Sequence, residues 1–272
     1  MPELPEVETT LRGITPHIIG HPFREVVVRQ KQLRWPIPDN LNELLAGYTI
    51  HQIRRRAKYL LLETKNGSLI IHLGMSGCLR IVDPSDLPVE KHDHVDFVVS
   101  DSLSMRYTDP RRFGAILWTS KPAIEHKLLE ALGPEPLTDD FSGEGLFMLS
   151  RGRKQAIKHF IMDNHIVVGV GNIYANEALF KAGIRPDRSS GSLSYKRYQL
   201  LVDAIKETLA QAIEQGGTTL KDFVGGDSKP GYFKQKLTVY GRKGKPCKRC
   251  NNIIVEIRQR NRATFFCNYC QG

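Results

Sequence analysis

Four cysteines near the end of the chain constrain its fold more than any other feature. They form two pairs, Cys247-x-x-Cys250 and Cys267-x-x-Cys270, with sixteen residues between the pairs. Each pair can present two sulfurs to one ion, and the spacing is that of a four-thiolate zinc ribbon. Two disulfides or a redox pair are the alternative, but the runs IIVEI and ATFFC between the pairs favour two hairpin strands. We therefore predict one structural Zn²⁺ and no catalytic metal.

The chain is strongly basic, and many cations lie beside these cysteines. Its 272 residues include 39 Lys and Arg against 29 Asp and Glu, a net charge of +10. Such a charge favours an anionic partner, nucleic acid first. For the cations beside the cysteines a solvated surface is the simpler interpretation, but on a small rigid metal module they favour contact with a phosphate backbone. The cations next to the cysteines are Arg242, Lys243, Lys245, Lys248, Arg249, Arg258, Arg260 and Arg262.

No apolar run approaches the roughly 18 residues of a membrane span. The N-terminus is acidic, whereas a secretory signal is basic and then apolar. We therefore expect a cytosolic protein.

Residues 24–119 are typical of an antiparallel β-sandwich or barrel. The apolar runs REVVVRQ, YTIHQI, YLLLE, SLIIHLG and VDFVVS alternate with turn signals. Asn66-Gly67 predicts a hairpin between two of these strands. Cys78 lies in a strand-like context and is expected to be a small buried hydrophobe.

Beyond residue 120 the apolar residues recur at intervals of three and four, which predicts helices. The predicted helices cover residues 124–133, 152–163, 173–183 and 194–217, and Leu201, Ile205, Leu209 and Ile213 share one face of the last. Pro134 and Pro136 lie in the joining segment. The change of pattern predicts an α+β chain with a domain boundary near residues 120–135.

A glycine turn in VVGVGNIYANEAL precedes one of these helices. Gly169 and Gly171 lead into Asn172, where free backbone N–H groups could bind an anion. A dinucleotide fingerprint would need a small residue at Tyr174 and a strand–helix–strand frame, and neither is present. Two helices joined by such a turn also fit a DNA-binding helix-turn-helix variant or a plain helix pair. The preceding helix carries the cations Arg151, Arg153, Lys154 and Lys158.

The first residues, MPELPEVETT, are typical of a helix start. Pro5 suits the first turn, and Glu6 and Glu8 suit the positive end of the helix dipole. Neither argument accounts for Pro2 or Glu3.

Seven motifs, in order along essentially the whole chain, resemble the bacterial formamidopyrimidine-DNA glycosylase family. They are PELPEVET, RRAKYLLLE, HLGMSG, KHDHVD, YTDPRRFG, VVGVGNIYANE and the cysteine ribbon. The sister branch, endonuclease VIII, typically has glycine in place of Leu4. The resemblance implies an N-terminal β-sandwich at residues 1–134, a helix-two-turn-helix domain at 135–235 and a zinc ribbon at 236–272. Duplex DNA would lie across the cleft between the sandwich and the helical domain that ends in the ribbon.

The resemblance also implies an activity. A monomer would excise oxidised purines, namely 8-oxoguanine and formamidopyrimidines, and then cleave the strand at the abasic site without a redox cofactor. A non-catalytic DNA-binding relative and a glycosylase that prefers oxidised pyrimidines are the alternatives.

The implied catalytic residues are Pro2, Glu3, Lys58 and Arg262. Removal of Met1 would give Pro2 a free secondary amine, and such α-amino groups have a pKa of roughly 8, so part is unprotonated at pH 7. Glu3 would protonate the sugar ring oxygen. Lys58, expected on a strand, would assist β-elimination, and Arg262 would bind phosphate and assist δ-elimination.

The resemblance further assigns the DNA contacts. Extrusion of a base leaves a gap that Met75, Arg111 and Phe113 would fill. For His92 a metal site shared with His94 is the competing interpretation. Residues 217–233 match the family's lesion-capping loop. The expected contacts to the DNA backbone are His92, Arg111, Arg153 and Asn172.

Overall fold

The computed structural model describes residues 2–217 and 236–272. These residues form two compact units: residues 2–130 with 215–217, and residues 131–214 with 236–272. Among the described helices, none is long and apolar enough to cross a membrane.

The first unit is an antiparallel β-sandwich that begins with a helix. Its elements in chain order are α1 (Leu4–Ile18), β1 (Glu25–Val28), α2 (Leu41–Leu45), β2 (Gln52–Arg56), β3 (Tyr59–Thr64), β4 (Gly67–His72), β5 (Cys78–Val82), β6 (Asp93–Ser100), β7 (Leu103–Thr108) and β8 (Ala115–Thr119). One sheet has the strand order β1-β6-β7-β5 and the other β2-β3-β4-β8, and neighbouring strands are antiparallel in both.

One hydrophobic core joins the two sheets and α1. Val7 of α1, Leu62 and Ile71 of the second sheet, and Phe97 and Met105 of the first are fully buried in the same cluster. Burial of such side chains contributes about 1.5–3 kcal/mol each, which makes this core the main source of stability of the unit.

The predicted strands of this unit are confirmed, with one shift in a turn. Each of the five apolar runs overlaps a strand, and the β3–β4 hairpin forms around Lys65 and Asn66, one residue earlier than predicted. Gly67 pairs with Thr64 at φ +151°, where an added Cβ would lie 2.3 Å from the carbonyl oxygen of Thr119. Cys78 is buried, as predicted.

The second unit contains four helices and a two-stranded hairpin among the described residues. They are α3 (Gly143–Ser150), α4 (Ile157–Ile161), α5 (Asn172–Lys181), α6 (Tyr195–Glu214), β9 (Val255–Gln259) and β10 (Arg262–Phe266). The long helix α6 buries Leu201, Ile205, Leu209 and Ile213, which confirms its predicted face. Sequence reasoning missed α3, whose N-cap Ser142 Oγ accepts the Gly145 N–H at 3.1 Å.

Two helix predictions are wrong in extent. Residues 124–133 form only a 3₁₀ turn, Ala123–Glu125, followed by turns. The stretch lies between two prolines, and so short a helix does not offset its nucleation cost. In residues 152–163 only Ile157–Ile161 is helical, because the preceding backbone pairs elsewhere: the Gln155 carbonyl accepts the Ser190 N–H at 2.8 Å.

Candidate functional site

Pro2 and Glu3 lie buried at the start of α1. Glu3 is the N-cap residue, and its backbone N–H donates to Glu6 Oε2 at 2.8 Å. Glu3 and Glu6 are 1% and 2% exposed. Gly217, at φ +76°, approaches so closely that an added Cβ would lie 2.9 Å from Glu6 Oε1. Burial of two carboxylates in one helical turn is costly unless they are bonded, so this start is a specialised environment rather than a solvated helix end.

Lys58 lies in a tight turn and not on a strand, which corrects the prediction. Arg56 pairs with Tyr59, so Ala57 and Lys58 form a two-residue connection between β2 and β3. Ala57 adopts φ +53°, in the left-handed region that two-residue hairpins require. The half-buried Lys58 therefore projects from the end of a rigid hairpin.

This turn is connected to α1 by an ion pair. Arg55 Nε donates to Glu8 Oε2 at 2.9 Å, and Arg55 Nη1 donates to the Ala57 carbonyl at 3.0 Å. Both charged side chains of this pair are largely buried. Helix α1, which Glu3 caps, and the turn that carries Lys58 are thus packed against each other.

His72 adds a half-buried imidazole beside Lys58, and sequence reasoning missed it. Burial lowers the pKa of His72 to about 4, and the charges of Lys58 and Arg34 act in the same direction. Its Nδ1 accepts the Gly74 N–H at 3.0 Å, and its ring lies 4.7 Å from that of Tyr59. The imidazole is therefore neutral near pH 7.

Met75, Arg111 and Phe113 are brought together on two loops that pack against each other. We call residues 73–77 and 109–114 the paired loops. Met75 and Phe113 are 37% and 46% exposed, although both are large and apolar. Arg111 Cζ lies 4.8 Å above the Phe113 ring. An apolar chain, a cation and an aromatic ring thus lie exposed on one rigid support, as residues that enter a nucleic-acid stack require.

A fully buried carboxylate, Asp109, connects the paired loops. It lies two residues before Arg111, is 0% exposed, and accepts hydrogen bonds from both loops. Sequence reasoning missed it. The only local signal was the Asp-Pro of YTDPRRFG, which is typical of a turn start.

His92 is held beside the paired loops through its backbone. Its carbonyl accepts the Asp109 N–H at 3.1 Å, whereas His94 Nε2 lies 2.8 Å from the Asp109 carbonyl. His94 is therefore occupied as a donor. Among the described residues, the four ribbon cysteines form the only group of three or more side chains placed to hold a metal, and no third ligand joins His92 and His94 there.

In the second unit the structure brings Asn172 and Arg262 together. Asn172 is the first residue of α5, and its Nδ2 donates to the carbonyl of Ala263, the neighbour of Arg262, at 3.1 Å. Lys158 Nζ donates to the same carbonyl at 3.1 Å and to Thr264 Oγ1. Asn172 Oδ1 is buried without a hydrogen-bond partner among the described residues. Arg262 is exposed at the start of β10.

Arg153 lies exposed on the extended segment that precedes α4. Its carbonyl accepts the Gly191 N–H at 2.9 Å and the Ser189 hydroxyl at 3.1 Å, and its guanidinium lies 5.5 Å from the Phe160 ring. The backbone is fixed while the charge remains accessible, which suits a phosphate contact.

The cysteine ribbon, residues 244–272, has the geometry of a metal site. All four cysteines are free, and their Sγ atoms lie within 4.8 Å of one another. Cys247 and Cys270 sulfurs are 3.9 Å apart, and Cys250 and Cys267 sulfurs 3.5 Å. Four sulfurs at about 2.3 Å from Zn²⁺ in a tetrahedron lie about 3.8 Å apart, so the set fits one zinc ion.

The thiol environment points to the same ion. A hydrogen bond from the Asn252 amide lowers the pKa of Cys250 to about 6. Burial, together with the neighbouring thiols, raises the pKa of Cys270 to about 12. Four sulfurs this close do not ionise together without a cation.

A β-sandwich followed by a helix-two-turn-helix unit and a four-cysteine ribbon defines a class of zinc-finger protein. Three family models match the chain: the formamidopyrimidine-DNA glycosylase N-terminal domain at residues 1–116, the H2TH domain of the same enzymes at 132–224, and the zinc finger found in FPG and IleRS at 244–272. The chain belongs to the formamidopyrimidine-DNA glycosylase family.

Individual relatives match this chain over essentially its full length. The formamidopyrimidine-DNA glycosylase of Stutzerimonas stutzeri is 58% identical over 271 residues, which cover 100% of both chains. The crystal structure of the MutM (FPG) protein of Thermus thermophilus superposes with a TM-score of 0.89 at 36% identity, covering 99% of this chain and 98% of that one. A Lactococcus lactis FPG mutant bound to Fapy-dG DNA gives 0.91 at 34% identity, covering 99% of both.

These comparisons support the predicted fold and the structural zinc, which rests on the ribbon match and the four clustered cysteines. Apart from Gly217, the predicted capping loop at 217–233 lies outside the described residues.

Proposed function

We propose that this protein excises oxidised purines, 8-oxoguanine and formamidopyrimidines, from duplex DNA and then cleaves the strand by β,δ-elimination. Its family membership makes it a DNA glycosylase that acts on damaged DNA in repair. The observation that carries the finer proposal is the buried Pro2–Glu3 pair at the start of α1. A secondary amine next to a carboxyl group supplies both a nucleophile and an acid.

The excision step uses Pro2 as the nucleophile. Once Met1 is removed, the neutral Pro2 nitrogen forms a bond to C1′, and the C1′–N bond to the damaged base breaks with its electron pair leaving on the base. The proton of the resulting ammonium passes to the departing base, which restores the nitrogen lone pair. Glu3 gives a proton to the ring oxygen as the sugar opens, and the nitrogen lone pair completes the iminium. Its cationic nitrogen then acidifies the protons at C2′.

Strand cleavage follows from that iminium. Loss of a C2′ proton drives out the 3′ phosphate, and loss of a C4′ proton then drives out the 5′ phosphate. Lys58, on its rigid turn, binds phosphate and assists the first elimination. Arg262, beside Asn172, binds phosphate and assists the second. Because the His72 imidazole is neutral near pH 7, it does not compete with Lys58 for the phosphate.

DNA binding supports both steps. Arg153, His92 and Asn172 contact the DNA backbone, and the paired loops fill the gap left by the extruded nucleotide. The zinc ribbon supplies further cations at the phosphates.

Borohydride trapping tests the proposal. The protein is mixed with an 8-oxoguanine duplex and NaBH₄, and the expected product is a covalent protein–DNA adduct at the N-terminal residue. The matched control is the same protein acetylated at its N-terminus, which should give none. Equal strand cleavage by both forms would overturn Pro2 as the nucleophile. No cleavage by either form would show that the protein binds DNA without catalysis. A parallel dihydrouracil duplex should react more slowly; faster reaction would assign pyrimidine lesions instead.

A further inference from the structure

We propose that Asp109 is a positioning residue that fixes the paired loops in the arrangement that fills the gap in the DNA. The proposal rests on the proposed function, since it concerns how the protein stabilises an extruded nucleotide. Asp109 itself is fully buried and contacts no DNA; it acts through the exposed Met75, Arg111 and Phe113.

The carboxylate of Asp109 binds both loops at once. Oδ1 accepts the Ser76 hydroxyl at 2.7 Å and the Arg111 N–H at 3.2 Å. Oδ2 accepts the Gly114 N–H at 2.9 Å and the Tyr107 hydroxyl at 3.2 Å. Ser76 follows Met75 directly, and Arg111 and Gly114 enclose Phe113. Each of the three exposed side chains is thus on, or next to, a residue bonded to Asp109.

The backbone of Asp109 extends the same centre to the His92 segment. Its N–H donates to the His92 carbonyl at 3.1 Å, and its carbonyl accepts His94 Nε2 at 2.8 Å. Three stretches that are distant in the sequence, at residues 72–77, 92–94 and 107–114, therefore meet at one residue. These three stretches carry the proposed DNA contacts Met75, His92, Arg111 and Phe113.

The two loops pack closely against each other at two glycines. An added Cβ at Gly74 would lie 2.4 Å from backbone atoms of Phe113 and Gly114, and one at Gly114 would lie 1.8 Å from the Tyr107 hydroxyl. With four donors on two oxygens, the buried charge is fully hydrogen-bonded, which is the condition under which such a group specifies one structure.

Asp109→Asn is the most informative substitution, because it keeps the shape of the side chain but replaces one acceptor oxygen with an NH₂ donor. Whichever way the amide turns, its NH₂ group faces a backbone N–H, that of Arg111 or that of Gly114. Hydroxyl groups can rotate to accept, but a backbone N–H cannot. Loop 109–114 must therefore lose one of its two backbone bonds to residue 109: that of Gly114, or that of Arg111, whose N–H then keeps only Ser76 Oγ at 3.2 Å.

The test compares specific with non-specific affinity. Dissociation constants are measured for a duplex with a tetrahydrofuran abasic site and for the undamaged duplex, with the melting temperature of each variant. D109N should lower the preference for the abasic duplex about tenfold, the effect of one charge-assisted hydrogen bond, with undamaged affinity unchanged. Asp96→Asn, which disrupts a buried ion pair with Arg106 in the same sandwich, should lower the melting temperature and leave that preference intact.

A double-mutant cycle separates positioning from mere stability. If Asp109 acts through the loops, D109N in a Phe113→Ala background should lower the preference by much less than it does alone. Additive losses, or equal losses for D109N and D96N, would overturn the proposal. Should D109N fail to fold, Ser76→Ala and Tyr107→Phe each remove one bond and should each lower the preference by about threefold, within the range for one neutral hydrogen bond. An unchanged preference in both would also overturn it.

The wild-type result distinguishes this proposal from the one on which it rests. A wild-type protein without preference for the abasic duplex overturns both. A wild-type preference that D109N retains overturns the positioning role alone.

Discussion

The zinc ribbon and the paired loops both present proposed DNA contacts from short, irregular segments, but different chemistry stabilises them. In the ribbon, four cysteine sulfurs within 4.8 Å of one another hold the chain around one ion. In the paired loops, one carboxylate collects four hydrogen bonds inside a well-packed sandwich.

The difference determines how each region fails. The ribbon packs in a small core that it shares with Phe180 of α5 and with Val239; its own buried members are Ile254, Phe265 and two of the cysteines. Without its ion, such a module loses most of its folding energy at once. The paired loops rest on a large core and lose order in steps, one hydrogen bond at a time. Binding should therefore be lost abruptly through the ribbon and gradually through the loops.

Removal of the metal is the largest perturbation and should separate the two regions. Structural zinc in finger peptides contributes about 10 kcal/mol or more of apparent binding energy. Chelation of the intact protein, or Cys250→Ser, should abolish DNA binding and leave the unfolding transition of the sandwich in place. Calorimetry and a DNA mobility-shift assay on the same sample measure both. Retained binding by the metal-free protein would show that the ribbon is dispensable.

Glu3→Gln should affect chemistry and leave both binding regions intact. Loss of a general acid lowers the rate by about 10²–10⁴-fold, so single-turnover excision of 8-oxoguanine should fall by that factor with the dissociation constant unchanged. Glu43→Gln, on the exposed face of α2, is the matched control. Near-normal turnover by the Glu3 variant would remove its proposed role.

Acid should destabilise the sandwich through His72. Its pKa falls from 6.5 to about 4 on folding, so the folded state binds fewer protons than the unfolded state between these values. The stability associated with the neutral ring is present above pH 6.5 and is lost as the pH falls towards 4, by up to about 3 kcal/mol. His72→Asn keeps an acceptor for the Gly74 N–H and should remove this part of the pH dependence in denaturant titrations. The exposed His51→Asn controls for the substitution itself, and an unchanged slope in the His72 variant would contradict the assignment.

Salt dependence should report the cations of the ribbon one at a time. Each phosphate contact contributes about 0.9 to the slope of log affinity against log salt. Arg262→Gln should reduce the slope by about 0.9, whereas Arg24→Gln, whose cation pairs with Asp101 on the sandwich surface, should leave it unchanged. An equal slope for Arg262→Gln and wild type would mean that Arg262 binds no phosphate.

The parts of the molecule that could be predicted are those in which neighbours in sequence are also neighbours in space. The ribbon cysteines follow from spacing alone, and the buried face of α6 follows from its period, because both depend on residues within one short stretch. The residues of the catalytic proposal came from the family resemblance, since MPELPEVETT alone predicts only a helix start.

What could not be predicted depends on distant contacts or on unusual backbone. Asp109 collects its donors from residues 76 to 114, and no local pattern indicates that they meet. Lys58 was placed on a strand because its turn lacks the Asn, Asp or Gly that normally marks a two-residue hairpin. The helix predicted at 124–133 has the right period, but Leu129 N–H donates to the His126 carbonyl three residues back at 2.7 Å, and Gly133 N–H donates to the distant Asn164 carbonyl at 2.8 Å.

The Ala57–Lys58 turn also limits how the chain can change length. Strand β3 is paired on both sides, with β2 and with β4, and Leu60 and Leu62 are fully buried. A residue inserted or deleted within β3 would invert every side chain beyond it, because strand side chains alternate between faces. Natural variants of this enzyme should therefore tolerate indels in exposed connections such as residues 84–91, but keep an invariant length from Arg55 to Leu62.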